Sequence, residues 1–515
     1  MTTPPSAPTP TPSPPAAGAV ERRTIAPGLT ISRALTGLWQ IADMERDGRA
    51  VDPVAAAAAM RPYVAAGLTT FDMADHYGSA EVIAGTYRAL HRDRQRDGGD
   101  APPVECLTKW VPPPGPVTRE DARAAVERAC ARLRTERLDL LQLHAWRFSD
   151  FAWLDALAWL GELQAEGRIG HLGLTNVDTA HVRVAVASGV PIVSNQVCCS
   201  LLDPRARGRM AEYCGAHGVA LLCYGTLAGG FLGERWLGAP EPAADAPLTW
   251  SQMKYRRFID AAGGWDAYQR VLAAAARVAR RLGVSVANVA TRWVLEQPAV
   301  AGVIVGARLG ERSHVDETRA LFAFSLDAEA QAALEAAIAT LTPIPGDCGD
   351  EYRRPPYLTA SGDLSHHVAG FPPPFAVETG GDGRRRALSG TSWETMAGYA
   401  RAVRHGSRIA VSGTTATHRG RVVGGDDAAA QAHAVIDKLE GAIESLGGTL
   451  GDVVRTRVFV RDMAEWEPVA RAHGERFGAV RPANTLVQAG LVGDDYRVEI
   501  EADAEVGSAT VGTPT

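Results

Sequence analysis

Phe71-Asp72-Met73-Ala74-Asp75-His76-Tyr77-Gly78 begins as the end of a strand and breaks at a glycine. Three further polar residues each close a short apolar, strand-like run: Lys109 after residues 104–108, His144 after 138–143 and Asn176 after 171–175. From Thr24 to about Leu341 such runs alternate with amphipathic stretches of helical period, a pattern that specifies a parallel sheet with helices packed outside it. Eight strands are predicted, centred on 35–39, 69–71, 105–108, 138–143, 171–174, 192–194, 219–223 and 302–305. Eight such units close into an α/β barrel of the TIM (β/α)8 type, whose site lies at the carboxyl ends of the strands. The polar residues fall at those ends.

The residue types define a chemistry. A phenol, with a pKa of about 10, is a weak acid at neutral pH, and a neighbouring ammonium lowers the cost of its anion. Tyr77 is therefore the candidate general acid and Lys109 its neighbour, with Asp72 holding the lysine. His144 is suited to hydrogen-bond and orient a carbonyl oxygen. A carbonyl that accepts this proton also needs a hydride, so the site calls for a nicotinamide cofactor.

The order Asp72, Tyr77, Lys109, His144 resembles the catalytic tetrad of the aldo-keto reductases. The resemblance implies reduction of an aldehyde or ketone to an alcohol, or the reverse, with NADP(H) as cofactor and NAD(H) as the alternative. It also implies the cofactor contacts. Thr175 and Asn176, with Gln196, would meet the carboxamide, and Tyr224 would stack on the nicotinamide ring. Gly225, Leu227 and Gly229 follow in the next loop, where the family commonly has Ser, Pro and Leu before its glycines. Val305, Gly306, Ala307 and Arg308 would form the phosphate turn after strand eight, and Arg312 aligns with the family arginine for the 2'-phosphate. The family pair Glu-Asn next to it is here Val315 and Asp316, a departure at the adenine end.

Composition narrows the partners. A formal charge of -6 without a long basic run argues against nucleic acid or an acidic membrane surface. Apolar runs stay short of the roughly 18 residues a spanning helix needs, and the N-terminus lacks the order of a signal peptide, so the expected compartment is the cytoplasm. The 7 cysteines form no C-x-x-C pair and read as reduced thiols, the adjacent Cys198 and Cys199 included; no metal site is expected.

Residues 1–20 alternate Thr, Pro, Ser and Ala and read as a disordered tail, as do 507–515. The barrel with its C-terminal tail takes 21–367; the resemblance to the aldo-keto reductases implies that the tail, with Tyr352, Arg353 and Arg354, crosses the barrel mouth, and a simple surface tail is the alternative. A Pro- and Gly-rich stretch, 368–388, reads as a flexible linker that tethers the last domain. Residues 389–506 read as a small α+β domain with strands near 408–412, 453–460, 485–488 and 497–504 and helices near 428–446 and 464–477. This order resembles the Rid (YjgF-like) family, whose members hydrolyse reactive imines and assemble as trimers. The resemblance is carried by Tyr399, Ser412-Gly413, Gly447-Gly448, Arg481-Pro482-Ala483 and Glu499. It implies a pocket of Tyr399, Ser412, Asn484 and Glu499 and a homotrimer. Asn484 stands where the imine deaminases carry an arginine, and Ala470 where they carry an asparagine, so a binding or assembly role is favoured over deamination. Two alternatives for the whole chain are a cofactor-binding sensor or scaffold with little turnover, and a bifunctional reductase and deaminase.

Overall fold

The computed structural model describes residues 18–96 and 102–507. Eight parallel strands close into a barrel in chain order: β1 (Ala34–Gly37), β2 (Thr70–Asp72), β3 (Glu105–Trp110), β4 (Leu138–Leu143), β5 (Ile169–Thr175), β6 (Ile192–Cys198), β7 (Ala220–Tyr224) and β8 (Val300–Gly306), with β8 paired back to β1. All eight coincide with the predicted stretches. A run such as Leu-Asp-Leu-Leu-Gln-Leu in β4 is nearly continuous in burial because barrel strands are covered on both faces.

The interior is closed at its amino end by a hairpin, Arg22–Ala26 paired with Leu29–Ser32, that the periodicity did not predict. Its Leu29 and Ile31 pack with Leu35, Leu107, Leu140 and Leu222. Order thus starts earlier than expected: Val20 packs on the core, and a Cβ on Gly18 would meet the Phe322 backbone. The rest of the Pro-rich segment, residues 1–17, and residues 508–515 lie outside the described residues.

A second sheet runs β9 (Ala376–Thr379), β10 (Arg385–Leu388), β11 (Ala402–His405), β12 (Arg408–Thr415), β15 (Val498–Glu505), β13 (Val453–Val460) and β14 (Ala483–Gln488) across its width. Helices Ala428–Ser445 and Trp466–Phe477 accompany it, and Val498, Ile500, Ala502 and Ala504 are buried along β15. The alternate residues of β15 stay half-exposed, where Glu501 and Asp503 pair with Arg457.

Two expectations about the join are overturned. The stretch 368–388 is largely not a linker, since β9 and β10 belong to the second sheet. Its charge density suggested a spacer, but Ala387 is buried and the Arg386–Asp382 pair at 2.7 Å fastens the hairpin. Nor are the domains merely tethered. Helix 428–445 lies against the barrel helix Thr179–Ala187, and all but Lys438, Glu440 and Glu444 of its 18 residues are buried. Polar pairs cross the interface: Arg183 with Asp427 at 2.7 Å, Ser149 with Glu444 at 2.8 Å and His418 with Asp155 at 2.8 Å. A helix with apolar positions all round is one packed on two sides.

Candidate active site

The barrel fixes Asp72 at the end of β2 and Lys109 near the end of β3, adjacent strands in parallel register. Lys109 Nζ donates to both Asp72 carboxylate oxygens at 2.8 Å and to Met73 O at 2.9 Å, which uses all three of its protons. Gln196 Nε2, from the end of β6, donates to Asp72 Oδ1 at 2.6 Å and to Gln142 Oε1 at 3.2 Å. Asp72 is thereby locked.

Tyr77 follows on the loop after β2, and its ring centroid lies 4.9 Å from Lys109 Nζ. The ammonium faces the ring while its protons go elsewhere. Burial first, then the Asp72 carboxylate, push the Tyr77 phenol well above its ordinary pKa. Burial also lowers Lys109, against the pull of Asp72. Lys109 is thus the cation beside the phenol, paired with Asp72, and Tyr77 keeps its proton in this state.

His144 follows β4. Its Nδ1 lies 3.3 Å from Asn176 Nδ2, and an amide N–H only donates, so Nδ1 accepts and the ring proton sits on Nε2. Asn176 is held in that orientation by Tyr224, whose hydroxyl donates to Asn176 Oδ1 at 2.7 Å. The resulting His144 Nε2–H is buried and has no partner among the described residues. Burial, then the nearby Arg353 charge, hold His144 well below its usual range, so it is neutral at pH 7.

The tail does cross this mouth. Glu351 is anchored by Arg205 at 3.0 Å, and Gly349, at φ 90°, lies so close to the Asn176 carbonyl that a Cβ would collide with it. Arg353 donates to the carbonyls of Asn176 and Ala145, and to Gly349 O at 3.0 Å. Tyr352 sets its ring edge-on to His144, centroids 5.2 Å apart, and near Trp146. Its hydroxyl accepts from Lys254 Nζ at 2.7 Å. Lys254, on helix Trp250–Ala261, is buried among rings, 4.6 Å from the Tyr224 centroid and 4.9 Å from that of Tyr352. Burial opposes its charge, but Tyr352, Cys198 and Glu351 together outweigh that and raise its pKa.

The remaining barrel candidates lie around this centre. Thr175 Oγ1 bonds Gln196 O at 3.3 Å. Gly225 and Gly229 both take positive φ in the turn holding Leu227, and Tyr255 and Ser251 of helix 250–261 pack directly on them. Val305 and Gly306 end β8, and Ala307 N bonds Gly37 O. Arg308 is already engaged, with Asp43 at 2.8 Å and Glu311 at 2.6 Å, whereas Arg312 is exposed. Asp316 is exposed in the first turn of helix Val315–Ala320.

In the second domain three of the four predicted residues come together. Arg401 lies 5.7 Å from the Tyr399 ring and donates to Gly413 O, Ser412 Oγ donates to Ala400 O, and the Glu499 carboxylate lies where a Cβ on Gly413 would go. Asn484 does not join them. It sits on the edge strand β14, donates to Thr456 Oγ1 at 2.9 Å, and lines a separate cavity of about 330 Å³ with Ala470, His473 and Phe477.

Comparison with known proteins decides the affiliation. The model of the aldo/keto reductase family matches residues 35–339, more than half of the chain. The chain belongs to the aldo/keto reductase family. Its C-terminal domain is YjgF/Rid-like, matching the Endoribonuclease L-PSP model over residues 390–506. Similar proteins include Protein tas of Escherichia coli, 29% identical over 278 residues, which is 47% of this chain and 78% of that protein. A YjgF-family protein of Mycobacterium tuberculosis is 41% identical over 24% of this chain and 99% of its own, with a TM-score of 0.22. An aldo/keto reductase of Klebsiella pneumoniae in complex with NADP and acetate is 22% identical over 64% of this chain and 97% of its own, with a TM-score of 0.45.

Within this aldo/keto reductase, sequence reasoning missed Lys254, Gln142 and the clamp role of Arg353. Met253-Lys254-Tyr255-Arg256-Arg257 reads as a solvated basic face, and only the aromatic residues beside Lys254 hinted at a buried cation. Among the described residues, no cluster of His, Cys, Asp or Glu suits a metal ion, and no helix is long and apolar enough to cross a membrane. The seven cysteines are free and buried.

Proposed function

We propose that the barrel reduces the carbonyl of an aldehyde or ketone to an alcohol, or runs the reverse, with NADP(H) as cofactor and NAD(H) as the alternative. The observation that carries this reading is the buried His144 Nε2–H without a partner, beside the locked Asp72–Lys109 pair and the protonated Tyr77 phenol. A carbonyl oxygen is the acceptor such a donor suits. The residues also fit the cofactor chemically. Among the described residues Gln142 Nε2 is a second buried donor without a partner, Tyr224 offers a ring, the left-handed Gly225 and Gly229 lie in a half-exposed turn after it, and Arg312 is exposed and suited to a phosphate.

When bound, a nicotinamide supplies or receives the hydride. His144 orients the carbonyl oxygen, and Tyr77 gives its proton to that oxygen as negative charge develops on it. Lys109, held by Asp72, is the charge that stabilises the phenolate left behind. Replacing Tyr77 by Phe is expected to lower carbonyl reduction by roughly 100- to 10,000-fold with cofactor affinity little changed. Near-normal turnover of that variant against a panel of aldehydes and ketones would remove Tyr77 from this role.

One observation favours a second reading, a cofactor-binding sensor with little turnover: Lys254 and Tyr352 crowd the Tyr224 ring on which a nicotinamide would stack. Tight NADPH binding with background turnover across the panel is its signature. For the C-terminal domain we infer binding and assembly as a homotrimer rather than deamination. Asn484 cannot supply an arginine fork and already spends its amide on Thr456. Trp393, Met396, Val454 and Val487 are exposed apolar residues of the kind an interface covers. Light scattering on the full chain is expected to return three times the chain mass; a monomer at micromolar concentration would contradict assembly.

A further inference from the structure

Phe148, between His144 and the interface, is stacked on His181 at 3.6 Å between centroids and 15° between planes. His181 fills one face of that ring, so the Arg353 guanidinium, 4.3 Å from the same centroid, takes the other. Arg353 in turn holds the carbonyls of Ala145 and Asn176, the residues that end the His144 and Asn176 segments. His181 Nδ1 meets Asp178, the cap of its own helix, at 2.7 Å, and across the interface its Nε2 meets Asp437 of helix 428–445 at 3.1 Å. With carboxylates on both nitrogens the ring is an imidazolium. Asp437 also receives Arg476 at 2.5 Å, and Arg476 reaches Glu440 at 2.6 Å.

We propose that the C-terminal domain completes the reductase site: Asp437 and His181 are positioning residues that seat Phe148 and Arg353, and through them the backbone carrying His144 and Asn176. The charges form a set that only the docked domains complete, with His181, Arg353 and Arg476 positive and Asp178, Asp437 and the half-exposed Glu440 negative. Neighbouring His433 is pushed down to about 3 by burial and the Arg476 charge, and adds none. Removing one member leaves its partners buried and unpaired, and a packed core passes that on as displacement of the next side chain. The kinetic part of this inference rests on the carbonyl-reductase reading of the barrel; the structural part does not.

The test uses the full chain with Asp437→Asn, and Asp437→Glu as the conservative rescue. Hydrogen exchange is followed in peptides covering 144–149, 175–179 and 349–354, and carbonyl reduction is measured alongside. Asp437→Asn is expected to accelerate exchange in all three segments and to lower kcat about tenfold, the size of a typical coupling between connected sites. Asp437→Glu should recover most of both. Arg183→Ala, which loosens the same interface at its rim, should change neither. Should Asp437→Asn not fold, Phe148→Leu, with the interdomain charges intact, is expected to give the same pattern. Exchange in the three segments that stays at the wild-type rate in the variant overturns the proposal, as does Arg183→Ala reproducing the effect. Altered exchange without any turnover, even in the wild type, would instead remove the reductase reading while leaving the coupling.

Discussion

Lys254 is a buried ammonium surrounded by aromatic rings, and among the described residues it hydrogen-bonds the Tyr352 hydroxyl. A ring stacking on Tyr224 has to displace it. Lys254→Met is therefore expected to tighten nicotinamide cofactor binding several-fold, read from tryptophan fluorescence; weaker binding would mean that the ammonium contacts the cofactor itself. Arg312 is the complementary case, an exposed arginine shortly after β8. Charge-assisted hydrogen bonds contribute about 1.5–3 kcal/mol each, so Arg312→Ala is expected to weaken NADPH by roughly tenfold or more and NADH little. Equal losses for the two cofactors would place the arginine's role elsewhere.

At the scale of elements, the tail depends on Gly349, which combines a left-handed φ with close approach to the Asn176 carbonyl. Gly349→Ala is expected to destabilise the chain by about 1–3 kcal/mol in denaturant unfolding and to raise the KM for carbonyls, since Tyr352 and Arg353 lose their seat. Unchanged stability and kinetics would show that the tail adjusts freely. The barrel strands were legible because each is a short apolar run followed by an amphipathic stretch of helical period, and four of them end at or beside a polar residue. Helix 428–445 was legible as a helix but not as an interface. Its sequence, with charges only at Asp437, Lys438, Glu440 and Glu444, already lacks a broad polar face, which is the signal for two packed sides. Residues 376–388 were misread because charge and glycine also make hairpins. The pairing of Lys254 with Tyr352 joins residues 98 apart, and no local pattern encodes it.

At the scale of the whole molecule, docking makes stability pH-dependent. Burial alone would lower His181, but Asp178 and Asp437 raise it to about 9, above its unfolded value of about 6.5. Its contribution is thus complete below about 6.5 and lost as the pH rises through 9. Lys438, pushed down to about 7 by burial, acts in the opposite sense and favours the folded chain as the pH rises. The difference in Tm between wild type and His181→Gln isolates the first effect: it is expected to shrink from pH 6.5 to 9.5, and a constant difference would mean that His181 is not charged. The central claim is that this barrel passes a hydride to a carbonyl whose oxygen takes its proton from Tyr77. It is tested most directly by giving the full chain NADPH with deuterium at both C4 positions and a panel of aldehydes and weighing the alcohols. The account predicts one deuterium in the product with the wild type and almost none with Tyr77→Phe; cofactor bound by the wild type with no label transferred would contradict it.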